Sequence, residues 1–293
     1  MGMLKTANPA ARGPNPLAGA FRTGKAWAGN ALLAIYALLT LYPLIWLFIS
    51  SFKTNQDFYG KPFSLPSVWQ FENFAKAWKI AGIGTALTNS VIVTVVAMVL
   101  TLFLGTLAAY VLSRLQFKLK GPIMALFVLG MLIPIHSTLV PLFIMMKKMA
   151  ILDTHWALIL PYTAFELPVA IFVVAAYLTS VPKEVEEAAM IDGNGYWGIF
   201  FRVIFPLAVP AMATVAILAF LRFWNDFAFA LVFINKQALK TLPLSLSIFS
   251  DGFGTDYSLT MAAMAIAVVP TIVIYLIFQE QIMKGMVAGA VKG

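Results

Sequence analysis

Residues 181–193 read VPKEVEEAAMIDG, and this acidic, alanine-rich segment decides how the rest of the chain is interpreted. It lies between two long apolar runs, at about 156–179 and 203–232. Pro182 suits the first position of a helix, where its missing N–H is not needed. Gly193 suits the left-handed residue that ends a helix. The pattern predicts a short helix that connects two membrane spans.

The side chains of this predicted helix favour a protein partner over lipid. Glu184, Glu186 and Glu187 fall in its first turns, where negative charge complements the positive end of the helix dipole. A helix that lies on lipid prefers lysine and arginine on its polar face. Ala188 and Ala189 are small and allow another surface to approach closely. An ordinary amphipathic connector along the bilayer is the alternative interpretation.

The composition identifies an integral membrane protein. Of the 293 residues, 61% are hydrophobic and 11% are charged, whereas soluble domains have about 45–50% apolar and about 25% charged residues. The net charge of +8 therefore indicates basic loops near anionic lipid headgroups, and no nucleic-acid partner is expected. The chain has no cysteine, which excludes disulfides and Cys-ligated metals. We expect no metal site.

Six apolar runs reach the roughly 20 residues that a membrane-spanning helix needs. Lipid offers no partner for unpaired backbone groups, so all six should be helices. Small residues should permit close contact between helices at two places, at Gly105 with Ala108 and Ala109, and at Gly82 with Gly84. The predicted fold class is an all-α integral membrane protein with six transmembrane helices. The runs lie at about 27–50, 86–112, 122–146, 156–179, 203–232 and 259–279.

Lysine and arginine predict the orientation of these spans. If the N-terminus is inside the cell, every arginine except Arg222 lies on the inner side. Neither the N-terminal tail nor the 114–120 loop contains an acidic residue. Both termini and the 180–202 loop are then cytoplasmic. The predicted domains are a tail at 1–25, a six-span membrane domain at 26–284 that contains a cytoplasmic connecting segment at 181–205, and a second tail at 285–293.

Several stretches, in this order, resemble one family of transport proteins. Glu187-Ala188-Ala189, Asp192-Gly193, Phe200 and residues 204–207 resemble the EAA motif of ABC importer permeases. Further stretches are similar to the carbohydrate branch of that family, specifically the second membrane subunit of the maltose-importer type. They are residues 160–165, 224–227, 241–243, 261–263 and 288–293. The resemblance runs from about residue 26 to the end of the chain.

This resemblance implies a type I ABC importer permease fold in the bacterial cytoplasmic (inner) membrane. It implies four kinds of partner besides membrane lipid: a second homologous permease, two ABC ATPase subunits, an extracytoplasmic solute-binding protein and a carbohydrate substrate. ATP and Mg would bind the ATPase subunits, and no cofactor would bind this chain. The chain has no G-x-x-x-x-G-K-[ST] phosphate loop, so we expect a non-catalytic subunit.

The resemblance also implies which residues couple the permease to the ATPase. Most belong to the 181–193 segment, and the rest to a C-terminal tail that reaches the ATPase in the maltose type. The implied coupling residues are Glu186, Glu187, Ala188, Ala189, Asp192, Gly193, Gly289 and Lys292.

Polar residues inside the predicted spans are candidates for the translocation path or its gate, because such groups are costly in a membrane. They are His136, Glu166, Arg222, Trp224, Asn225 and Asp226. His136 is expected either to bond a carbonyl freed by a proline or to face the path. Glu166 is expected to be protonated, or paired with Arg222 or His136. Asp226 lies four residues after Arg222, which allows an ion pair on one helix face.

Trp224 and Asn225 have two open interpretations. They could stack on and bond to sugar in the path, or they could serve a gate or structural role, which we favour. For the whole chain, the alternatives are a proton-coupled secondary transporter that uses Glu166 and His136, and an ABC permease for a non-sugar solute. A membrane enzyme is disfavoured, because two histidines leave little acid–base chemistry.

Overall fold

A computed structural model describes the backbone of residues 16–249 and 256–290, and every regular element within these ranges is helical. In chain order the α-helices are α1 (Pro16–Ser50), α2 (Asn55–Gly60), α3 (Glu72–Ile80), α4 (Ile83–Arg114), α5 (Lys120–Met131), α6 (Leu139–Lys148), α7 (Trp156–Leu178), α8 (Glu184–Ile191), α9 (Tyr196–Ile199), α10 (Phe205–Leu207), α11 (Val209–Trp224), α12 (Ala228–Phe233), α13 (Leu242–Leu246) and α14 (Tyr257–Ala290).

Within the described ranges, four helices are long and apolar enough to cross a membrane without a break. They are the Gly29–Ser50 part of α1, all of α4 and α7, and the Tyr257–Gln279 part of α14. Two bent helix pairs also qualify if each pair counts as one span, which gives six. The six apolar runs of the sequence therefore correspond to these six units.

The third and fifth spans are not the single helices that the sequence predicts. In the third, Lys120–Met131 and Ile135–Lys148 meet at 95°, beside the extended residue Pro134. A proline ring clashes with the helical conformation of the residue before it, which explains the break. In the fifth, Tyr196–Leu207 and Val209–Trp224 meet at 69°, and α12 follows as a separate short helix.

The first and last helices extend beyond the predicted permease domain. Helix α1 begins at Pro16, within the segment that the sequence assigns to an N-terminal tail. Helix α14 continues to Ala290 and so includes most of the predicted C-terminal tail. Gly289 lies in the last turn of α14, whereas Lys292 lies outside the described residues.

Helices α4 and α7 form the most extensive helix pair among the described elements. Gly105 of α4 permits this contact, because a β-carbon there would lie 2.7 Å from the β-carbon of Ala170 in α7. A core of small, branched and aromatic side chains continues this contact toward α8. It includes Ala109, Val174, Leu178, Phe200, Ile204 and Val215, from α4, α7, α11 and the segment before it.

The Gly105 contact predicts different effects of two glycine-to-alanine changes on stability. Gly105→Ala should lower thermal stability by about 1–3 kcal/mol through overpacking. Gly130→Ala is the matched control, because no atom lies within 4 Å of its added β-carbon. It should be neutral or gain up to about 1 kcal/mol of helix propensity. Thermal unfolding of the purified protein in detergent measures both, and an equal gain at the two sites would contradict the close packing.

Candidate functional site

The helix predicted from residues 181–193 is present as α8. Gly193 has a φ of +81° and ends it, as the sequence predicts. The N–H of Gly193 donates to the Met190 carbonyl, and the N–H of Asn194 donates to the Ala189 carbonyl, both at 3.0 Å. This pair of bonds is the Schellman motif, which favours glycine at the left-handed position. Helix α8 begins at Glu184, so Pro182 precedes the helix and does not occupy its first position.

Helix α8 has an inward face and an outward face, which divide the predicted coupling residues. Glu186 and Ala189, three residues apart, are both 7% exposed and face the bundle. The structure therefore does not present these two side chains to a partner. The exposed predicted residues are Glu187, Ala188, Asp192 and Gly193. The 3.6-residue helical period causes this division.

Glu186 faces inward because it pairs with Arg114, the last residue of α4. Arg114 Nε lies 2.7 Å from Glu186 Oε1, and their side chains are only 5% and 9% exposed. Arg114 Nη2 also donates to the Val181 carbonyl at 2.8 Å. Burial raises the pKa of the Glu186 carboxyl, and the neighbouring Arg114 opposes that rise. The ion pair fixes α8 to the end of α4.

Asn194 joins α8 to the second half of the element. Its Nδ2 donates to the Ala189 carbonyl at 3.1 Å, and its Oδ1 accepts from Arg202 Nη1 at 3.0 Å. Arg202 belongs to a π-helical turn over Phe200–Ile204. Phe200 is fully buried, and its ring centroid lies 5.8 Å from that of Tyr110 in α4. We call residues 181–207 the coupling element.

Farther along the bundle, Glu166 of α7 pairs with Arg222 of α11. Arg222 Nη1 lies 2.9 Å from Glu166 Oε2, with Glu166 fully buried and Arg222 51% exposed. This contact and the Arg114–Glu186 contact are ion pairs by distance, although their angles lie outside hydrogen-bond geometry. The predicted Glu166–Arg222 pairing is confirmed, and the alternative pairing with His136 is not found in the described residues.

Asp226 does not pair with Arg222, so that prediction is wrong. Helix α11 ends at Trp224, so Asp226 lies beyond the helix and the four-residue spacing does not bring the two side chains together. Instead, the Tyr162 hydroxyl donates to Asp226 Oδ2 at 2.7 Å. The Ala230 N–H donates to the same oxygen at 3.2 Å. Asp226 therefore connects α7 to α12.

Arg222 and Asp226 line a small shared cavity. Its volume is about 20 Å³, which is room for one water molecule. Ile135, next to the exposed His136, also lines it. The other lining residues are Tyr162, Phe165, Phe223 and Phe229. The cavity is too small for a sugar ring in this conformation.

Trp224 and Asn225 lie away from this cavity. Trp224 is 5% exposed, and its ring stacks on Phe220 with centroids 5.4 Å apart. Asn225 is exposed, and its Nδ2 donates to the Leu221 carbonyl at 2.8 Å. These contacts complete the end of α11. The gate or structural role that we favour for both residues stays a prediction.

A family model matches residues 101–287, and its description is "Binding-protein-dependent transport system inner membrane component". The match covers more than half of the chain and contains both the coupling element and the Glu166–Arg222 pair. The chain belongs to this family. It is therefore a membrane-spanning permease of an import system.

Curated relatives match this permease over nearly their whole length. The probable ABC transporter permease protein YurM of Bacillus subtilis is 40% identical, over 89% of this chain and 87% of the relative. The diacetylchitobiose uptake system permease protein NgcG of Streptomyces coelicolor is 38% identical, over 86% and 84%. The trehalose/maltose transport system permease protein MalG of Thermococcus litoralis is 32% identical, over 88% and 94%.

A solved structure shows the same fold. A chain of a bacterial ABC transporter involved in the import of the polysaccharide alginate superposes with a TM-score of 0.76. It is 23% identical and covers 87% of the permease and 95% of its own length. The predicted type I importer permease fold is thereby confirmed.

Arg114, like Tyr162, is a site residue of the permease that sequence reasoning missed. It was assigned only to a basic inner loop, because an arginine at the end of a span is typical of the membrane interface. Its actual partner, Glu186, is 72 residues later in the chain and follows a different span. A pairing over that separation has no local pattern to indicate it.

The Arg114–Glu186 pair predicts strong coupling between the two side chains. Arg114→Ala or Glu186→Ala should each cost about 3–5 kcal/mol of stability, because either leaves a buried charge unpaired. The double alanine variant should lose clearly less than the sum. Thermal unfolding of the purified complex gives the double-mutant cycle. Glu184→Ala, on an exposed residue of the same helix, is the control, and additive losses would contradict a buried ion pair.

The Glu166–Arg222 pair predicts an asymmetric result. Arg222→Met should destabilise more than Glu166→Gln, since the first leaves a fully buried carboxylate unpaired and the second leaves a half-exposed guanidinium that water can reach. The difference should be about 1–3 kcal/mol. Thermal denaturation of both variants in one detergent measures it. Equal losses would contradict the burial of Glu166.

Proposed function

We propose that this permease is one of two unlike membrane subunits of an ATP-driven importer for sugars or oligosaccharides. The observation that carries the proposal is the coupling element, whose inner face is fixed to the bundle while its outer face is free for a partner. The names of the relatives support a carbohydrate substrate: two are the diacetylchitobiose and trehalose/maltose permeases, and a third is the melibiose/raffinose/stachyose import permease MelC of Bacillus subtilis.

The outer face of the coupling element is the proposed ATPase-docking surface. It combines the acidic Glu187 and Asp192 with exposed apolar side chains. Ile191 at the tip is 86% exposed. Met190, Tyr196 and Trp197 are also exposed. Apolar and aromatic anchors surrounded by polar residues are typical of protein interfaces.

Rigid attachment would make the coupling element a lever. The Arg114–Glu186 pair connects it to α4, the chain connects it to α7, and the 200–208 segment continues into α11. Closure of an ATPase dimer against α8 would therefore displace the ends of three helices together. Such a rigid-body displacement is one route to alternating access.

The polar residues around the small cavity are the proposed gate. Glu166–Arg222 and Tyr162–Asp226 both join α7 to the α11–α12 region. Relative movement of these helices would have to break or rebuild both contacts. His136 lies beside the same cavity and would face the path when it opens. In this proposal, Trp224 and Asn225 hold the end of α11.

The remaining partners and the orientation follow from the coupling element. If the ATPase binds α8, this end of the bundle and both termini are cytoplasmic. The opposite end, with the 52–82 and 234–249 connections, would then receive the solute-binding protein. A solved complex with the same fold contains an alginate pentasaccharide-bound periplasmic protein, at a TM-score of 0.64 and 17% identity. ATP and Mg would be held by two ATPase subunits, and the family assignment leaves the secondary-carrier alternative without support.

The lever predicts that changes on the outer face uncouple ATP hydrolysis from transport. Glu187→Lys reverses the charge of an exposed docking residue, and Gly193→Val strains the helix end at positive φ by about 1–3 kcal/mol. In proteoliposomes that contain the whole complex, both should reduce ATP-dependent oligosaccharide uptake at least tenfold, that is about 1.4 kcal/mol or more.

Lys118→Glu is the matched control, because Lys118 is exposed in the α4–α5 loop outside the coupling element. It should leave uptake near wild type. Complex assembly is checked by co-purification of the ATPase. Wild-type uptake by Glu187→Lys at normal assembly would overturn the docking role. Uptake of only non-sugar solutes by the wild-type complex would overturn the proposed substrate class.

A further inference from the structure

The segment between α1 and α4, residues 51–82, carries a group of exposed aromatic side chains at the end of the bundle opposite α8. We call this segment the α1–α4 arm. Phe71 is 68% exposed and Trp78 is 44% exposed. Tyr59, Phe63 and Trp69 are exposed as well. Large aromatic groups exposed together usually mark a surface that contacts something apolar.

The arm has a fixed shape, so the direction of these side chains is fixed too. Lys53 is buried, and its ammonium donates to the carbonyls of Lys61 at 3.0 Å and Pro62 at 2.7 Å. Asn73 Nδ2 donates to the carbonyls of Ser51 at 3.0 Å and Lys53 at 2.9 Å. These four bonds join the two halves of the arm to each other and to the end of α1.

Helix α3 of the arm has two unlike flanks. Asn73 and Ala77 are buried against the bundle. One flank, with i, i+3, i+7 spacing, carries Phe71, Phe74 and Trp78. The other flank, with i, i+4, i+7 spacing, carries Glu72, Lys76 and Lys79. Lys76 Nζ and Glu72 Oε2 are 3.0 Å apart on the polar flank. The helix therefore has an apolar flank on one side of its buried face and a polar flank on the other side.

The apolar flank of α3 is continuous with the membrane-embedded surface of the bundle. Phe74 lines an apolar groove of about 400 Å³ together with Phe48 of α1 and Pro270 of α14. The buried face of α3 packs with Ala262 and Ala263, inside the membrane-spanning part of α14. The Gly29–Ser50 part of α1 buries almost nothing, so its apolar surface is exposed. Helix α3 thus lies beside exposed apolar surfaces of the membrane-spanning helices.

We propose that the α1–α4 arm is an interfacial anchor that lies in the headgroup layer of the bilayer. The occupant of its apolar flank is membrane lipid, with Phe71, Phe74 and Trp78 directed into the upper acyl chains. Lys76 and Lys79 on the other flank meet headgroups and water. Aromatic rings at this level and lysines extended toward headgroups are the general pattern of membrane interfaces.

The absence of cysteine from the chain allows a direct test with single introduced cysteines. Phe71→Cys and Trp78→Cys report on the apolar flank, and Glu72→Cys and Lys76→Cys are matched controls on the polar flank of the same helix. Each is labelled with a nitroxide in the full complex, reconstituted in vesicles of phosphatidylethanolamine and phosphatidylglycerol. Accessibility to oxygen and to a water-soluble nickel chelate is then measured.

The proposal predicts an oxygen-to-nickel accessibility ratio severalfold higher at 71 and 78 than at 72 and 76. Equal access of nickel to both flanks would overturn it. Protection of 71 and 78 from both reagents only after the solute-binding protein is added would also overturn it, in favour of a protein-docking surface.

A second measurement needs no cysteine at an aromatic position. In the intact complex, brominated lipid should quench tryptophan emission, and the conservative Trp78→Phe should remove a measurable share of that quenching. Unchanged quenching in Trp78→Phe would contradict the contact of Trp78 with lipid.

Discussion

The buried contact between Arg114 and Glu186 is the constraint on which the coupling element depends. A charged loop at the end of an apolar bundle can lie along the bilayer or extend into water, and neither arrangement transmits a push. Pairing Glu186 with an arginine at the end of α4 holds α8 against three helices at once. The cost of burying two charges is offset only when they stay together, so the contact favours one position of α8. The outward face is then presented in a fixed direction.

A second carboxylate–arginine ion pair lies inside the bundle, and its two partners differ in exposure. Glu166 is fully buried, whereas Arg222 is half-exposed beside a cavity of about 20 Å³. A pair with one exposed partner can separate if water or a polar solute reaches it, because the guanidinium keeps its hydration. This asymmetry distinguishes a contact suited to opening from the closed Arg114–Glu186 contact. The Arg114–Glu186 contact holds α8 at one end of the bundle, and the Glu166–Arg222 contact midway along the helices can separate. The two together are consistent with a rigid-body movement of the coupling element that opens the proposed gate.

The features that were predictable from the sequence are the local ones. The lengths of the apolar runs predict the six spans. The Ala-rich acidic pattern with Gly193 predicts α8 and its end. The errors have two physical origins. Pro134 breaks the third span, and the end of α11 at Trp224 separates Asp226 from Arg222, so regular spacing fails where a helix stops. The inward direction of Glu186 and the Tyr162–Asp226 bond depend on partners 72 and 64 residues away, and no local pattern contains them.

The most direct test of the account is a photocrosslinker placed at Ile191, the exposed tip of α8, in the native membrane. The account predicts covalent capture of an ABC ATPase subunit, identified by mass spectrometry in a complex that also contains a second permease. The same crosslinker at Leu39, an exposed residue of α1 outside the coupling element, should not capture it. Capture of lipid alone at Ile191, or recovery of this chain without an ATPase under conditions that keep other complexes intact, would contradict the account.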